Sequence, residues 1–314
     1  MMIDILSETL MKMKLKAYFS GALDAGGHWA VESPSFDGFK LIVVLKGECW
    51  ISIEGLPGKY HLKQGDCILL TSGKPFIIAK DLSIQRKIQF DELKRSTQNG
   101  VMTYNGGGDF YSNSAYFQFE GHLPKIMFGN LPPVIHIPEH MEQAAILRWS
   151  LERFSSEVQG DKVGRTLIIN HLAPIMLVQI LRIYLASAKN EKNWLVALSD
   201  PKLSKAIEAM HSDYQRPWSL DELARTAGLS RSGFALNFKK QVGIAPMEYL
   251  TNWRMQYACE LLQSGDHNVA TVASAVGYES ESAFSLAFKR IIKCRPGFYQ
   301  KAHRGLSANA DSIN

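Results

Sequence analysis

The sequence has only four cysteines in 314 residues, Cys49, Cys67, Cys259 and Cys294, and no two are spaced to clamp a zinc ion or form a redox dithiol. That scarcity excludes a disulfide-stapled secreted module and makes a reduced, cytoplasmic interior the expected compartment. An apolar leader is also missing. Lys12, Lys14 and Lys16 stand near the N-terminus, but Gly21, Asp24 and Gly26-Gly27 interrupt the stretch after them, so no export signal is expected. The most apolar segment, 167–188, carries Asn170, His171, Pro174, Gln179 and Arg182, which argues against a membrane span. Charge of one sign is not abundant either. The net charge is +5, and residues 200–314 hold fourteen Lys and Arg against eleven Asp and Glu. A binder that relies on bulk charge alone would need more. The one local exception is the stretch from Lys289 to Arg304, where Lys289, Arg290, Lys293, Arg295, Lys301 and Arg304 stand with no acid among them.

The residues present divide into two patterns. Up to about residue 120, short β-rich runs at 39–45, 49–53, 59–62, 67–70, 75–78 and 115–119 alternate with Gly and Asp turn signals, the spacing of a β-sandwich or small barrel. After Pro132-Pro133 and Pro138 the period becomes helical, with Met141, Ala144, Ala145, Leu147, Leu151 and Phe154 on one stripe. A second helix is predicted over 163–188, bent at Pro174 and apolar around much of its circumference. Packing on the β-domain and dimerisation are equally good uses for these two helices. The polar stretch 189–199, with Trp194 inside it, reads as a linker, and Asp200-Pro201 opens a run that is helical to the end.

That last run repeats itself. Residues 219–230 match 268–280, with Ala224 against Ala273 and Gly228 against Gly277 at an offset of 49. One residue is then inserted, and at an offset of 50 Phe234, Leu236, Phe238, Lys239, Pro246 and Tyr249 meet Phe284, Leu286, Phe288, Lys289, Pro296 and Tyr299. Each copy has a helix with a small residue at its crossing point, a turn glycine (Gly228, Gly277) and a second helix capped by Ser230 or Ser280. This is the grammar of a helix-turn-helix motif. Phe234 and Phe238, like Phe284 and Phe288, are four apart and face inward together. At 100° per residue the outward face then holds Ser232, Ala235, Leu236 and Lys239 in the first copy, and Ser282, Ser285, Leu286 and Lys289 in the second. A single Gly-containing helix pair is common in all-α proteins. Two matched copies with caps, turn glycines and a basic residue after each Phe pair point instead to DNA. A helix over 247–263 joins the copies and is about 25 Å long, a strut suited to heads that read adjacent turns of one duplex.

The residues that carry the pattern are Asp200-Pro201, 216–220, 227–232, 246–250, Trp253-Arg254-Met255 and 276–280, and over 200–304 they closely resemble the DNA-binding domain of the AraC/XylS family of bacterial transcription regulators. The segments 43–50, 62–66 and Gly73-Lys74-Pro75 resemble the cupin-type sensing domain of one branch of that family. The resemblance implies a small β-barrel that binds an effector, helices that dimerise, and a DNA-binding domain whose engagement with a promoter follows effector occupancy. Two departures stand out. Leu236 and Leu286 replace an outward arginine often found in the family, so bidentate reading of guanine is lost there and contact with thymine methyl groups, on relatively A·T-rich targets, is expected. The His pair, Glu and later His of metal-binding cupins are missing: 41–44 is Leu-Ile-Val-Val, Phe76 follows Pro75, and His28 and His61 stand alone. No metal, no other cofactor and no catalytic residue are expected, and Trp29, Trp50 and Phe76 are expected in the core.

The fold class expected is therefore α+β multidomain: a cupin-like β-barrel over 1–135, a helical connector with dimerisation region and linker over 136–199, and an all-α AraC-type domain over 200–306. Within the last, the two motifs occupy about 219–240 and 268–290, and 307–314 is expected to be a disordered tail. Ser232, Ala235, Leu236, Ser282, Ser285 and Leu286 are the expected base readers, and Arg231, Lys239, Lys240, Lys289 and Arg290 the expected phosphate or flanking contacts. The expected partners are double-stranded promoter DNA, an unidentified small-molecule effector, a second copy of the chain and RNA polymerase, with no membrane. Two other classes compete: a cupin enzyme with a helical appendage, which stoichiometric bound metal would reveal, and a nonspecific architectural DNA binder, which random-sequence competitor would reveal.

Overall fold

The computed structural model describes every residue except 1–3, 96, 99, 142–144, 161, 189–190 and 311–314, together with the backbone but not the side chains of 145, 159 and 304–310. Contacts sort the chain into two units, one of residues 15–119 and 131–188, the other of 1–14, 120–130 and 189–314.

The first unit is two packed sheets. One runs in the order β11 (Val134–Ile137), β6 (Cys67–Leu70), β3 (Phe39–Lys46), β10 (Phe110–Gln118), β1 (Lys16–Ala25) and β9 (Val101–Tyr104). The other runs β5 (Lys59–Lys63), β4 (Glu48–Ile53), β7 (Phe76–Ala79), β2 (Ala30–Ser33) and β8 (Ile88–Gln89), and a single short helix, α2 (Phe90–Lys94), continues from β8. Alternate side chains of both sheets meet in one core: Ile42 and Val44, Cys49, Ile51 and Ile53, Ile68 and Leu70, Phe76 and Ile78, closed by Trp29 against Phe110 at 4.7 Å. Trp29 and Phe76 are thus core residues, whereas Trp50 is half-buried and stacks on His61 at 4.5 Å. His61 in turn bonds Glu48, and among the described residues no three potential metal ligands cluster. Gly47 turns β3 into β4 with φ +74°, where a Cβ would strike the Asp109 carbonyl oxygen.

Sheet residues on the other face of β3, Leu41 and Val43, are buried as well, because two helices cover that sheet. α4 (Ala145–Gln159) lays Leu147, Leu151, Phe154 and Val158 down, with Phe154 edge-on to Phe19 at 6.0 Å. α5 (Arg165–Ser187) packs on α4 and β1 and buries Ile169, Leu172, Met176, Leu177, Ile180 and Leu181; Pro174 lies inside it. By length and composition α5 could cross a membrane, but 44% of its most apolar window is buried in protein. The packing alternative therefore accounts for one stripe of each helix. It leaves Ile146 and Trp149 on α4 and Leu167, Ile168 and Ile175 on α5 exposed. Met141 is described outside the helix, and Ala144 lies outside the described residues.

The second unit is helical: α1 (Ile5–Lys12), α3 (Leu123–Phe128), α6 (Trp194–Ser199), α7 (Leu203–Ser212), α8 (Leu220–Thr226), α9 (Arg231–Val242), α10 (Pro246–Ser264), α11 (Val269–Ala275), α12 (Glu281–Ile292) and α13 (Pro296–Ala310). The stretch expected as a linker is partly helical. Residues 194–199 form α6, because Asn193 caps it and Trp194 buries its indole completely, in contact with Phe128. The last helix runs to Ala310, so 307–310 are helical rather than a disordered tail, and 311–314 lie outside the described residues.

An internal chain of hydrogen bonds ties α1 into this unit. Trp194 Nε1 donates to Tyr249 Oη (2.9 Å), Tyr249 Oη and His211 Nε2 are 2.8 Å apart, and His211 Nδ1 meets Glu8 Oε2 at 3.1 Å. Burial depresses the His211 pKa, keeping the ring neutral. A neutral ring has one N–H, and the carboxylate can only accept, so the proton sits on Nδ1 and the Tyr249 hydroxyl donates to Nε2. Every member is then satisfied. Glu8 also accepts from Tyr257, and Lys12 pairs with Glu260 at 2.6 Å.

Candidate DNA interface

The two motifs are built from the same parts. In the first, Ser219 caps α8 through a capping box: its hydroxyl accepts from Glu222 N, while the Glu222 carboxylate accepts from Ser219 N at 2.9 Å. That backbone donor, the Ser219 hydroxyl and Arg216 together hold the Glu222 carboxyl down to about 2. In the second, Asn268 caps α11 by accepting from Thr271 N at 2.8 Å. Gly228 and Gly277 turn each chain with φ +64° and +80°. Immediately after them, Leu229 N and Tyr278 N donate back to Ala224 O (2.9 Å) and Ala273 O (3.0 Å). Ser230 and Ser280 then cap the second helices, α9 and α12, accepting from Gly233 N and Ala283 N.

Inside, the aromatic packing is duplicated. Phe234 and Phe238 lie 5.6 Å apart with Tyr249 edge-on to Phe238 at 5.5 Å; Phe284 and Phe288 lie 5.5 Å apart with Tyr299 edge-on to Phe288 at 5.5 Å. All four phenylalanines are fully buried, which fixes the rotation of both helices. The opposite faces are consequently free. Ser232, Leu236, Lys239 and Lys240 are exposed with Ala235 half-buried, and Ser282, Leu286, Lys289 and Arg290 are exposed with Ser285 half-buried. Leu236 and Leu286 have the same exposure, 73%. The structure thus brings the expected base-reading residues onto one face per helix, with the cations at the C-terminal ends. Arg231 differs from the other expected cations, since its guanidinium lies 3.5 Å from Asp221. At the equivalent position of the second copy stands Glu281, so the second head opens with a carboxylate where the first opens with a paired arginine.

The heads are fastened to each other by Arg254, to which the sequence pattern assigns no role, and by Gly277, expected there as a turn glycine. Arg254, on α10, donates from Nε to Tyr214 O (2.6 Å) and from Nη2 to Arg216 O (2.7 Å), pinning the segment that precedes α8. Gly277 lies against the same segment; a Cβ there would run into the Gln215 carbonyl oxygen and crowd Arg254. The second turn and the first motif therefore share one contact, on which the glycine and the arginine converge. The signal in the sequence was the Trp253-Arg254-Met255 triplet itself, but nothing in its spacing says which carbonyls the arginine meets. α10, which joins the heads, spans 19 residues, about 28 Å, a length comparable with the roughly 34 Å turn of a duplex.

Comparisons with known proteins agree with this architecture. A cupin family model matches residues 4–186 and a helix-turn-helix domain model matches residues 223–302. The chain is 35% identical over 299 residues to an AraC-like transcription regulator of Streptomyces antibioticus, covering 95% of this chain and 98% of that one. It is 29% identical over 283 residues to the HTH-type transcriptional regulator AlkR of Acinetobacter baylyi, covering 88% and 92%. Among solved structures, the DNA-binding domain of AdpA in complex with a target DNA is 28% identical, with a TM-score of 0.32 over 34% of this chain and 95% of that one. A cupin domain joined to paired helix-turn-helix motifs, and relatives aligned over almost the whole length, make this chain a member of the AraC-like family of DNA-binding transcription regulators.

Proposed function

We propose that the protein is a cytoplasmic, non-enzymatic regulator that reads promoter DNA with α9 and α12. The observation that carries this is the pair of matched outward faces: Ser232, Ala235 and Leu236 on one, Ser282, Ser285 and Leu286 on the other, for base edges, with Lys239, Lys240, Lys289 and Arg290 for phosphates and Arg231 for a flanking contact once Asp221 releases it. Phosphate contacts supply affinity and base contacts supply preference. Replacing Lys239 or Lys289 by Ala should weaken binding to all sequences and lower the salt slope by about one each. Replacing Ser285 by Ala should change preference at one base pair. A salt slope unmoved by either lysine substitution would sink the proposed docking face.

Control by a small-molecule effector fits the cupin unit, and its place there is the cleft rather than the inter-sheet core. The space between the sheets is filled by side chains such as Trp29, Phe76 and Phe110. A cavity of about 930 Å³ lies instead between β3 and α4, with Val43, Leu45 and Leu151 as apolar wall and Gln64, Arg148 and Ser155 as polar groups. That volume suits a small ligand. The exposed Ile146, Trp149, Leu167, Ile168 and Ile175 support association with a second copy through α4 and α5. Trp149→Glu should then shift sedimentation to monomer; an unchanged dimer would place the interface elsewhere. Bound at a promoter as a dimer, the protein would act on transcription through RNA polymerase.

A further inference from the structure

Leu236 and Leu286 are the exposed large apolar side chains of α9 and α12 among the described residues. They hold equivalent places, fifty residues apart, and each follows a fully buried phenylalanine by two positions, so the same packing aims both outward. Their neighbours on that face, Ser232 and Lys239, Ser282 and Lys289, are polar. A leucine set among them contributes nothing to the fold's core, and in a major groove it has one apolar partner available, the C5-methyl of thymine. Over any other base it would cover a cytosine N4 donor, the guanine O6 and N7 acceptors or the adenine N7 acceptor and N6 donor without replacing their hydrogen bonds to water.

We infer that each leucine seats on a thymine methyl group, so that the operator carries two matched T·A pairs about one helical turn, roughly 10 base pairs, apart. This rests on the docking face proposed above and adds what that face selects. The heads are alike at the leucine and unlike one residue earlier: Ala235 presents only a methyl, whereas Ser285 can donate to or accept from a base edge. The two half-sites are therefore related but not identical, with one more hydrogen-bonding side chain next to the leucine in the second head than in the first.

The test removes only the methyl. After an operator is selected from random duplexes with the full-length protein, each thymine in it is replaced singly by uracil, which keeps every hydrogen-bonding group. Two positions should respond, each by about fourfold in Kd, the value of one buried methyl at ~0.8 kcal/mol. Leu236→Ala should abolish the thymine-to-uracil ratio at one of them and leave the other intact, and Leu286→Ala the reverse; both leucines are exposed, so neither change burdens folding. At the same two positions 5-methylcytosine should bind better than cytosine. Indifference of the wild type to uracil at every position, or full retention of the ratio in both leucine variants, overturns the inference. Failure of the docking face itself has a different signature: wild-type salt slopes in the Lys239→Ala and Lys289→Ala proteins, with wild-type affinity in both leucine variants.

Discussion

Lys40 permits a stability prediction that can be worked to a magnitude. It sits on β3, only 2% exposed, on the same face as Ile42 and Val44. Its ammonium lies 4.6 Å from the Phe90 ring, 4.9 Å from Tyr116 and 5.1 Å from Phe76, and no carboxylate pairs with it among the described residues. Burial, assisted by the like charge of Lys94, pulls its pKa from the ordinary 10.5 to about 8. Below pH 8 both folded and unfolded chains carry the proton, and the fold bears the full cost, about 3 kcal/mol. Between pH 8 and 10.5 the folded chain releases a proton that the unfolded chain still holds, so this group makes stability rise with pH; above 10.5 the cost is gone. The three rings return part of it, on the order of 1 to 2 kcal/mol as cation–π attraction. Lys40→Met keeps the stem and removes the charge, and is expected to raise stability at pH 7 by about 1 to 2 kcal/mol, an advantage that shrinks through pH 8 to 10.5. Urea unfolding of the full chain, followed by sheet circular dichroism, measures it. Burial pushes the Cys67 thiol up to about 12 and that of Cys49 higher still, which tilts the wild-type curve the other way above pH 9. Subtracting the two proteins cancels that, because both carry the cysteines. A Met variant less stable at pH 7, or a difference flat from pH 8 to 10.5, refutes the reasoning.

The helical unit carries three further expected outcomes. Gly277→Ala meets both a positive φ and the Gln215 carbonyl, and should cost about 2 to 3 kcal/mol in urea unfolding and weaken operator binding, whereas Gly228→Ala, with open space at its Cβ, should cost about 1. Lys293 ends α12 in the left-handed region at φ +68°, where the first copy has Gly243 at +94°, so Lys293→Gly should raise the melting temperature by a few degrees, worth about 1 kcal/mol. Burial holds the pKa values of His211 and His122 down, so as pH falls through 6.5 the unfolded chain takes protons that the folded chain refuses and stability is lost; replacing both by Gln should flatten that slope in thermal unfolding between pH 7 and 5.

The legible parts of this protein are those whose structure is settled within a few residues. The caps Ser219, Ser230, Asn268 and Ser280, the turn glycines and the paired phenylalanines each act over three or four positions, so the repeat is visible as a string and the motifs fall where the string places them. The strands from β3 to β7 are likewise bounded by their own turn residues. β1 was not legible, for a physical reason. Gly21, Asp24 and Gly26 read as interruptions, yet the strand accommodates them: its register with β10 shifts between Phe19 and Gly21, and the Asp24 carboxylate accepts from Gly108 N at 2.7 Å. α1 and α6 are only eight and six residues long, and both are stabilised by partners more than fifty residues away, Tyr249 and Tyr257 for the indole of Trp194 and the carboxylate of Glu8. No periodicity announces such a contact. Arg254 belongs to the same class, since its role lies in three carbonyl oxygens of a distant segment.

The repeat also separates what the fold requires from what recognition is free to vary. Phe234, Phe238 and Tyr249 recur without change as Phe284, Phe288 and Tyr299, because each side chain fills the same inward space. On the outward faces Arg231 becomes Glu281 and Ala235 becomes Ser285, while the serine, leucine and lysine persist. The N-terminal ends of the reading helices thus carry little usable positive charge: Arg231 is held by Asp221, and Glu281 is an acid. On the docking face proposed above, electrostatic attraction from these two helices would fall to Lys239, Lys240, Lys289 and Arg290 at their C-terminal ends, a set whose full engagement would give a salt slope of about −3.6. An acid over the bases is tolerable where a cytosine N4 amine, an adenine N6 amine or a water can donate to it, and it repels a phosphate. On that face, charge favours an orientation with Glu281 toward base edges or solvent and Lys289 and Arg290 toward the backbone.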